Sequence, residues 1–121
     1  LDEARWCGIY AEASGLDGIL RWAYNSWTAD VENSAHHAKR NWKAGDCYLV
    51  YPRGPSLRLL ALRDGLTLAE KMKILRKSGE HAAELEKIAD AFGRGNGQHD
   101  ASVPAGAELT VLIDRVRAAV K

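Results

Sequence analysis

At 121 residues, with 46% apolar and 27% charged side chains, the chain has the size and composition of one ordinary globular domain. Its net charge of +1, with acids and bases interspersed, provides no electrostatic footprint for nucleic acid. No apolar run approaches the roughly 20 residues that a membrane span requires, so neither nucleic acid nor membrane is expected as a partner.

The opening residues, LDEARW, have neither the basic nor the apolar stretch of a signal peptide and include no methionine. This reads as a chain processed from, excised from or internal to a longer one. The compartment stays open; secretion or a periplasmic location follows if the full-length protein carries a signal peptide. Asp2 to Ala13 is a predicted helix, with Trp6, Ile9, Tyr10 and Ala13 at spacings of three and four, ended by Ser14-Gly15. Gly18 opens a strand-like run, Ile19 to Ser26. A second run, Cys47 to Tyr51, lies between the turn residues Gly45-Asp46 and Pro52. About twenty polar residues separate the two runs, long enough for a parallel crossover and long for a hairpin.

From Ser56 the period becomes helical through Leu57, Leu60, Leu66, Ala69, Met72 and Leu75. Gly65 predicts a bend or a division into two short helices. Glu80 to Phe92 is a predicted amphipathic helix with Ala82, Leu85, Ile88, Ala89 and Phe92 on one face and Gly93 as its stop. The turn-rich stretch GRGNGQHDAS leads to a last helix, Ala105 to Val120, with Leu109, Leu112, Ile113 and Val116 inward. Two strands alone make a poor sheet, so helices must cover it, or further strands or copies of the chain must complete it.

The aromatic residues are unevenly placed. All four tryptophans and all four tyrosines precede Pro52, and Phe92 alone follows it. Cys7 and Cys47 have no CxxC or metal spacing and read as buried or half-buried thiols; a single disulfide requires the fold to bring them together. His36-His37 reads as an exposed loop pair, since no acid or cysteine stands at ligand spacing, and neither metal nor other cofactor is expected. Arg53, Arg58 and Arg63 read as solvated or ion-paired, with no glycine-rich loop before a helix to make an anion site.

Three segments carry a resemblance as an ordered set: GILRWAYNSW, AGDCYLVYP and SLRLLALRDGL. They resemble the C-terminal part of the catalytic domain of glycoside hydrolase family 123 and related domains of unknown function, over approximately Ala4 to Leu75. The chain departs from that pattern in DVENSAHHAKRNW, and at Leu68 and Ala69, where the family has an acidic residue and tyrosine; Glu70 matches. The implied fold class is α/β: the C-terminal portion of a (β/α)8 barrel, its last two strands, followed by several α-helices. Residues 1–121 then form a single fragment, with an aromatic strand-and-loop part over 1–55 and a helical part over 56–121.

The resemblance also implies an activity. Members of the family act as retaining β-N-acetylgalactosaminidases that use an Asp-Glu pair and the substrate's own 2-acetamido group. That pair would lie upstream of this chain; Asp2-Glu3 is acidic but stands at a helix start, where acids favour the dipole. The chain by itself is therefore expected to be inactive. The expected partner is a glycan bearing a 2-acetamido sugar, with the missing N-terminal barrel portion or self-association completing the fold.

In a barrel one alternating set of each strand faces inward. Arg21, Ala23, Asn25 and Trp27 form the set whose polar members suit the interior; the opposite parity, with Trp22 and Tyr24 inward, stays open because Tyr24 can also serve as a pocket donor. Sites in such barrels lie where strands end, which selects Tyr24, Asn25 and Trp27 on the first run and Tyr51 on the second, with Tyr48 lining the interior. A tryptophan face packs against the C–H groups of a sugar ring, while Tyr and Asn satisfy its hydroxyls and amide. For Asn25 and Trp27 plain structural roles are an equal alternative. Arg21 and Asp46 are a candidate structural pair, because a buried charge needs a partner. A small non-catalytic module that binds carbohydrate or protein through the same aromatics is the competing reading.

Overall fold

A computed structural model describes residues 2–21, 23–31, 48–92 and 107–120. The element order is α1 (Asp2–Ala13), β1 (Val50–Tyr51), β2 (Gly54–Pro55), α2 (Leu57–Ser78), α3 (Ala82–Ala91) and α4 (Ala107–Ala119). The described architecture is thus mixed, mostly helical with one small antiparallel sheet.

Helix α1 has the predicted bounds, and its end follows from backbone geometry. Gly15 takes φ +70°, and the amides of Gly15 and Leu16 return to the carbonyls of Glu12 and Ala11 at 3.1 and 2.8 Å. This closes a Schellman cap that satisfies carbonyls the last turn would otherwise orphan. Ile9 and Ala13 are buried as their spacing predicts.

Gly65 does not break the second helical segment. Helix α2 runs unbroken for 22 residues, and Gly65 lies buried within it. The reason is a close helix crossing: a Cβ on Gly65 would stand 1.9 Å from the Arg5 carbonyl oxygen, and one on Gly8 would stand 2.8 Å from the Gly65 backbone. Glycine in a helix interior costs about 1 kcal/mol relative to alanine, and here it lets the α1 and α2 backbones meet. Asp64, next to that contact, pairs with Arg5 at 2.9 Å and with Arg117 of α4 at 3.2 Å.

Helix α3 starts at Ala82, later than the predicted Glu80, because two residues before it take left-handed backbone: Gly79 (φ 76°), which caps α2, and His81 (φ 54°). Leu85, Ile88, Ala89 and Phe92 are buried, whereas Ala82 is exposed. With Leu68, Met72 and Leu75 of α2 and Leu112, Ile113 and Val116 of α4 they form the main core. Phe92 receives Trp6 and Tyr10 of α1 edge-on, at ring-centroid distances of 5.5 and 6.3 Å. Lys71 of α2 donates to the carbonyls of Arg117 and Val120 at the end of α4, a cation at the negative helix terminus.

The strand expectation needs correction. The run Ile19 to Ser26 is not a strand; its described residues are irregular apart from one antiparallel bridge, Asn25 to Tyr48. Exposure does not alternate along it, and Leu20 is 98% exposed. A strand forms by pairing on a neighbour, and among the described residues the sheet consists of β1 and β2 without this run. The second run is shortened to Val50–Tyr51, which folds back antiparallel on Gly54–Pro55 through the two-residue turn Pro52-Arg53. The contacts made by both runs are therefore antiparallel rather than parallel. The proposed crossover, with His36, His37, Asp46 and Cys47, and the stretch GRGNGQHDAS lie outside the described residues, as does Trp22.

Candidate functional site

A smaller apolar cluster joins the start of α1 (Ala4, Cys7) to Leu49 and to Leu59, Ala61 and Leu62 of α2. It seats the hairpin on the helices and sets the position of the aromatic residues around it. Cys7 is a free, half-buried thiol whose S–H donates to the Glu3 carbonyl at 3.2 Å.

Backbone bonds then attach the first aromatic run to the hairpin. The Tyr24 carbonyl accepts from the amides of Leu49 and Val50 at 2.8 and 3.4 Å, and the Asn25 carbonyl accepts from the Trp27 amide at 2.8 Å. That last bond is a tight γ-turn closure, which swings Trp27 back across the hairpin. Its indole Nε1 donates to the Val50 carbonyl at 2.7 Å. With its polar atom committed, Trp27 remains 41% exposed, as Tyr24 is at 53%.

The other two tyrosines sit deeper. Tyr48 is fully buried; its hydroxyl donates to Thr28 Oγ1 at 3.4 Å, and its ring meets that of Tyr51 edge-on at 5.5 Å. Packing against its neighbours leaves Tyr48 no open face in this structure. Tyr51 is half-buried. Helix α2 holds this end in place. Ser56 Oγ donates to the Leu49 carbonyl at 2.7 Å and accepts from the Leu59 amide at 3.2 Å, serving as N-cap and hairpin anchor at once. The guanidinium of Arg58 donates to the Tyr48 carbonyl at 3.2 and 2.9 Å and to the Tyr51 hydroxyl oxygen at 3.1 Å.

The five residues singled out from sequence, Tyr24, Asn25, Trp27, Tyr48 and Tyr51, thus meet at one junction. The Arg21–Asp46 pairing does not come into view: Arg21 is half-buried, and Asp46 lies outside the described residues. Ser56, expected only as the start of a helix, and Arg58, expected as a solvated or ion-paired side chain, also join this junction. The available signal was a serine directly after the Pro-rich turn, with an arginine two residues on, in the first helical turn. Among the described residues no group of three or more His, Cys, Asp or Glu side chains is placed to hold a metal ion, and no helix is long and apolar enough to cross a membrane.

A surface groove of about 470 Å3 lies between the end of α1 and the last turns of α2, among Glu12, Leu16, Asp17, Lys73, Arg76 and Lys77. It is lined by none of these aromatic residues. Glu12 there is nearly buried and held by Arg76 at 3.0 Å. The Lys73 ammonium is raised above its ordinary value by its hydrogen bond to Glu70.

The family model for the glycoside hydrolase 123 catalytic domain matches residues 1–75. The chain belongs to glycoside hydrolase family 123. The matched stretch contains α1, the whole aromatic junction, the hairpin and α2 as far as Leu75, so every residue of the candidate site falls within the family 123 region. Helices α3 and α4 follow it and contribute much of the core on which that region rests. Comparison with curated proteins and with solved structures gave no match.

Proposed function

We propose that this family 123 chain is the C-terminal portion of a (β/α)8-barrel catalytic domain and supplies one wall of its sugar pocket. The substrate class is a glycan with a terminal 2-acetamido sugar, cleaved with retention through the acetamido group by an Asp-Glu pair carried upstream. The observation that carries this reading is Trp27, anchored through its indole nitrogen yet exposed, together with the exposed Tyr24. A fixed, exposed indole is the surface on which a sugar's C–H groups stack, and neighbouring hydroxyl and amide groups select its orientation. The exposed Leu16, Ile19 and Leu20 support the companion proposal that further barrel strands, or a second copy, cover this edge.

Tryptophan fluorescence during titration with N-acetylgalactosamine tests the wall, and release of the aryl group from an aryl 2-acetamido-glycoside tests catalysis. The expected result is a saturable fluorescence change without turnover by the isolated chain. Turnover would place the catalytic groups in this chain and refute the division of labour. No fluorescence response at millimolar sugar would remove the wall. Saturable binding that persists without gain of turnover when the upstream barrel is restored would favour a non-catalytic carbohydrate-binding module.

A further inference from the structure

Arg58 stands in the first turn of α2, half-buried, with its side chain directed back over the hairpin. It bonds two different oxygens, the Tyr48 carbonyl through Nε and Nη2 and the Tyr51 phenol oxygen through Nη2, and its Cζ lies 6.0 Å from the Tyr51 ring centroid. The planar, forked guanidinium is suited to holding two oxygens at fixed separation, which a lysine ammonium on its flexible stem cannot reproduce.

The consequence falls on Tyr51. A phenol hydroxyl both accepts and donates. Arg58 occupies the accepting side of the Tyr51 oxygen, so the remaining O–H has to act as a donor, and no acceptor for it is found among the described residues. The ring is fixed independently by the edge of Tyr48, itself fully buried against its surroundings. Tyr51 is thus held at its ring and at its oxygen, with one polar hydrogen that no described residue accepts.

We infer that Arg58 is a positioning residue of the sugar-facing wall: it orients Tyr51 so that its hydroxyl donates to an acceptor oxygen of the bound glycan. Arg58 itself touches no ligand. This inference rests on the pocket-wall reading for the ligand, while the Arg58–Tyr51 geometry stands apart from it. It gives Arg58 the role of a bracket between helix and hairpin.

The test uses the 121-residue chain and the variants R58M, R58K, Y51F and R58M/Y51F, with N-acetylgalactosamine as the probe. Near-ultraviolet circular dichroism reads the ordering of the Tyr48–Tyr51 pair without ligand, and calorimetry reads binding. R58M and R58K are expected to lose much of the tyrosine ellipticity with far-ultraviolet spectra unchanged. R58M and Y51F should each weaken binding roughly tenfold, the scale of one charge-assisted hydrogen bond. The double variant should be no weaker than either single, because both remove the same donor. R58K keeps the positive charge and decides the matter if R58M does not fold. Unaltered tyrosine ellipticity in R58K, or additive losses in the double variant, overturns the inference. If the wild-type chain binds no sugar, the wall reading fails; ellipticity lost in R58K then still assigns Arg58 to Tyr51.

Discussion

The helical body and the aromatic junction are built on opposite terms. In the body, Ile9, Met72, Leu85, Ile88 and Val116 are removed from solvent, and polar groups pair at its rim, as Arg5 and Arg117 do on Asp64. At the junction the rings of Tyr24, Trp27 and Tyr51 stay partly open, and what fixes this region is bonding to backbone carbonyls: Trp27 to Val50, Arg58 to Tyr48, Ser56 to Leu49. A hydrophobic core stabilises by hiding its surface, whereas a recognition surface has to be rigid and exposed together. Substitutions should therefore separate the two regions, the body reporting in stability and the junction in binding.

The largest expected effect is at the helix crossing. Gly65→Val places branched carbons where the Arg5 carbonyl already stands, so α1 and α2 must part, at a cost of about 3 kcal/mol or more. Chemical denaturation should show either a large drop in midpoint or no folded baseline; a midpoint equal to wild type would mean that the crossing is not close. Next is Ile88→Ala, fully buried between α2 and α4, with an expected loss of roughly 2–5 kcal/mol in the same measurement and no change in the sugar affinity of the protein that remains folded.

On the other side of the comparison, Ser56→Ala removes both a helix cap and the hydroxyl bond to the Leu49 carbonyl, for about 1–2 kcal/mol in a thermal melt. Trp27→Ala should lower the melting temperature less than Ile88→Ala does, since Trp27 is partly exposed, and yet abolish sugar binding. A stability loss equal to that of Ile88→Ala would instead make Trp27 a core residue.

The smallest expected effect is electrostatic. Glu70 holds the exposed Lys73 ammonium protonated above its usual 10.5. A lysine whose folded value is raised contributes stability below the unfolded value and loses it as pH rises through the folded one. The Glu70–Lys73 contribution should accordingly persist at neutral pH and fade only in strongly alkaline buffer, and Lys73→Met should barely move the midpoint at pH 7. A large shift at pH 7 would require a second role for Lys73 in the groove it lines.

The helices were legible in the sequence because their signal is local. The spacing of Ile9 and Ala13, and of Leu85, Ile88, Ala89 and Phe92, records one buried face without reference to what covers it. Gly65 misled because a glycine that ends a helix and one that admits a neighbouring backbone look identical in sequence; the answer lay on α1, at Arg5 and Gly8. The run Ile19 to Ser26 carries strand composition, but a strand is completed only by a partner, and among the described residues the run contributes only the single bridge from Asn25 to Tyr48. The clustering of Tyr24, Asn25, Trp27 and Tyr51 followed from reading two segment ends together. The burial of Tyr48 and the grip of Arg58 did not, because a side chain reaching a backbone carbonyl requires nothing of the residue whose carbonyl it takes.

The most direct test follows the indole N–H signals of the 15N-labelled chain during titration with N-acetylgalactosamine, with Trp6 as the internal control in the helical body. The Trp27 signal, assigned by its absence in Trp27→Ala, should move and saturate at millimolar sugar while the Trp6 signal stays in place. A Trp27 signal that does not move, or one that moves no more than that of Trp6, would contradict the assignment of the aromatic junction as a sugar-facing wall.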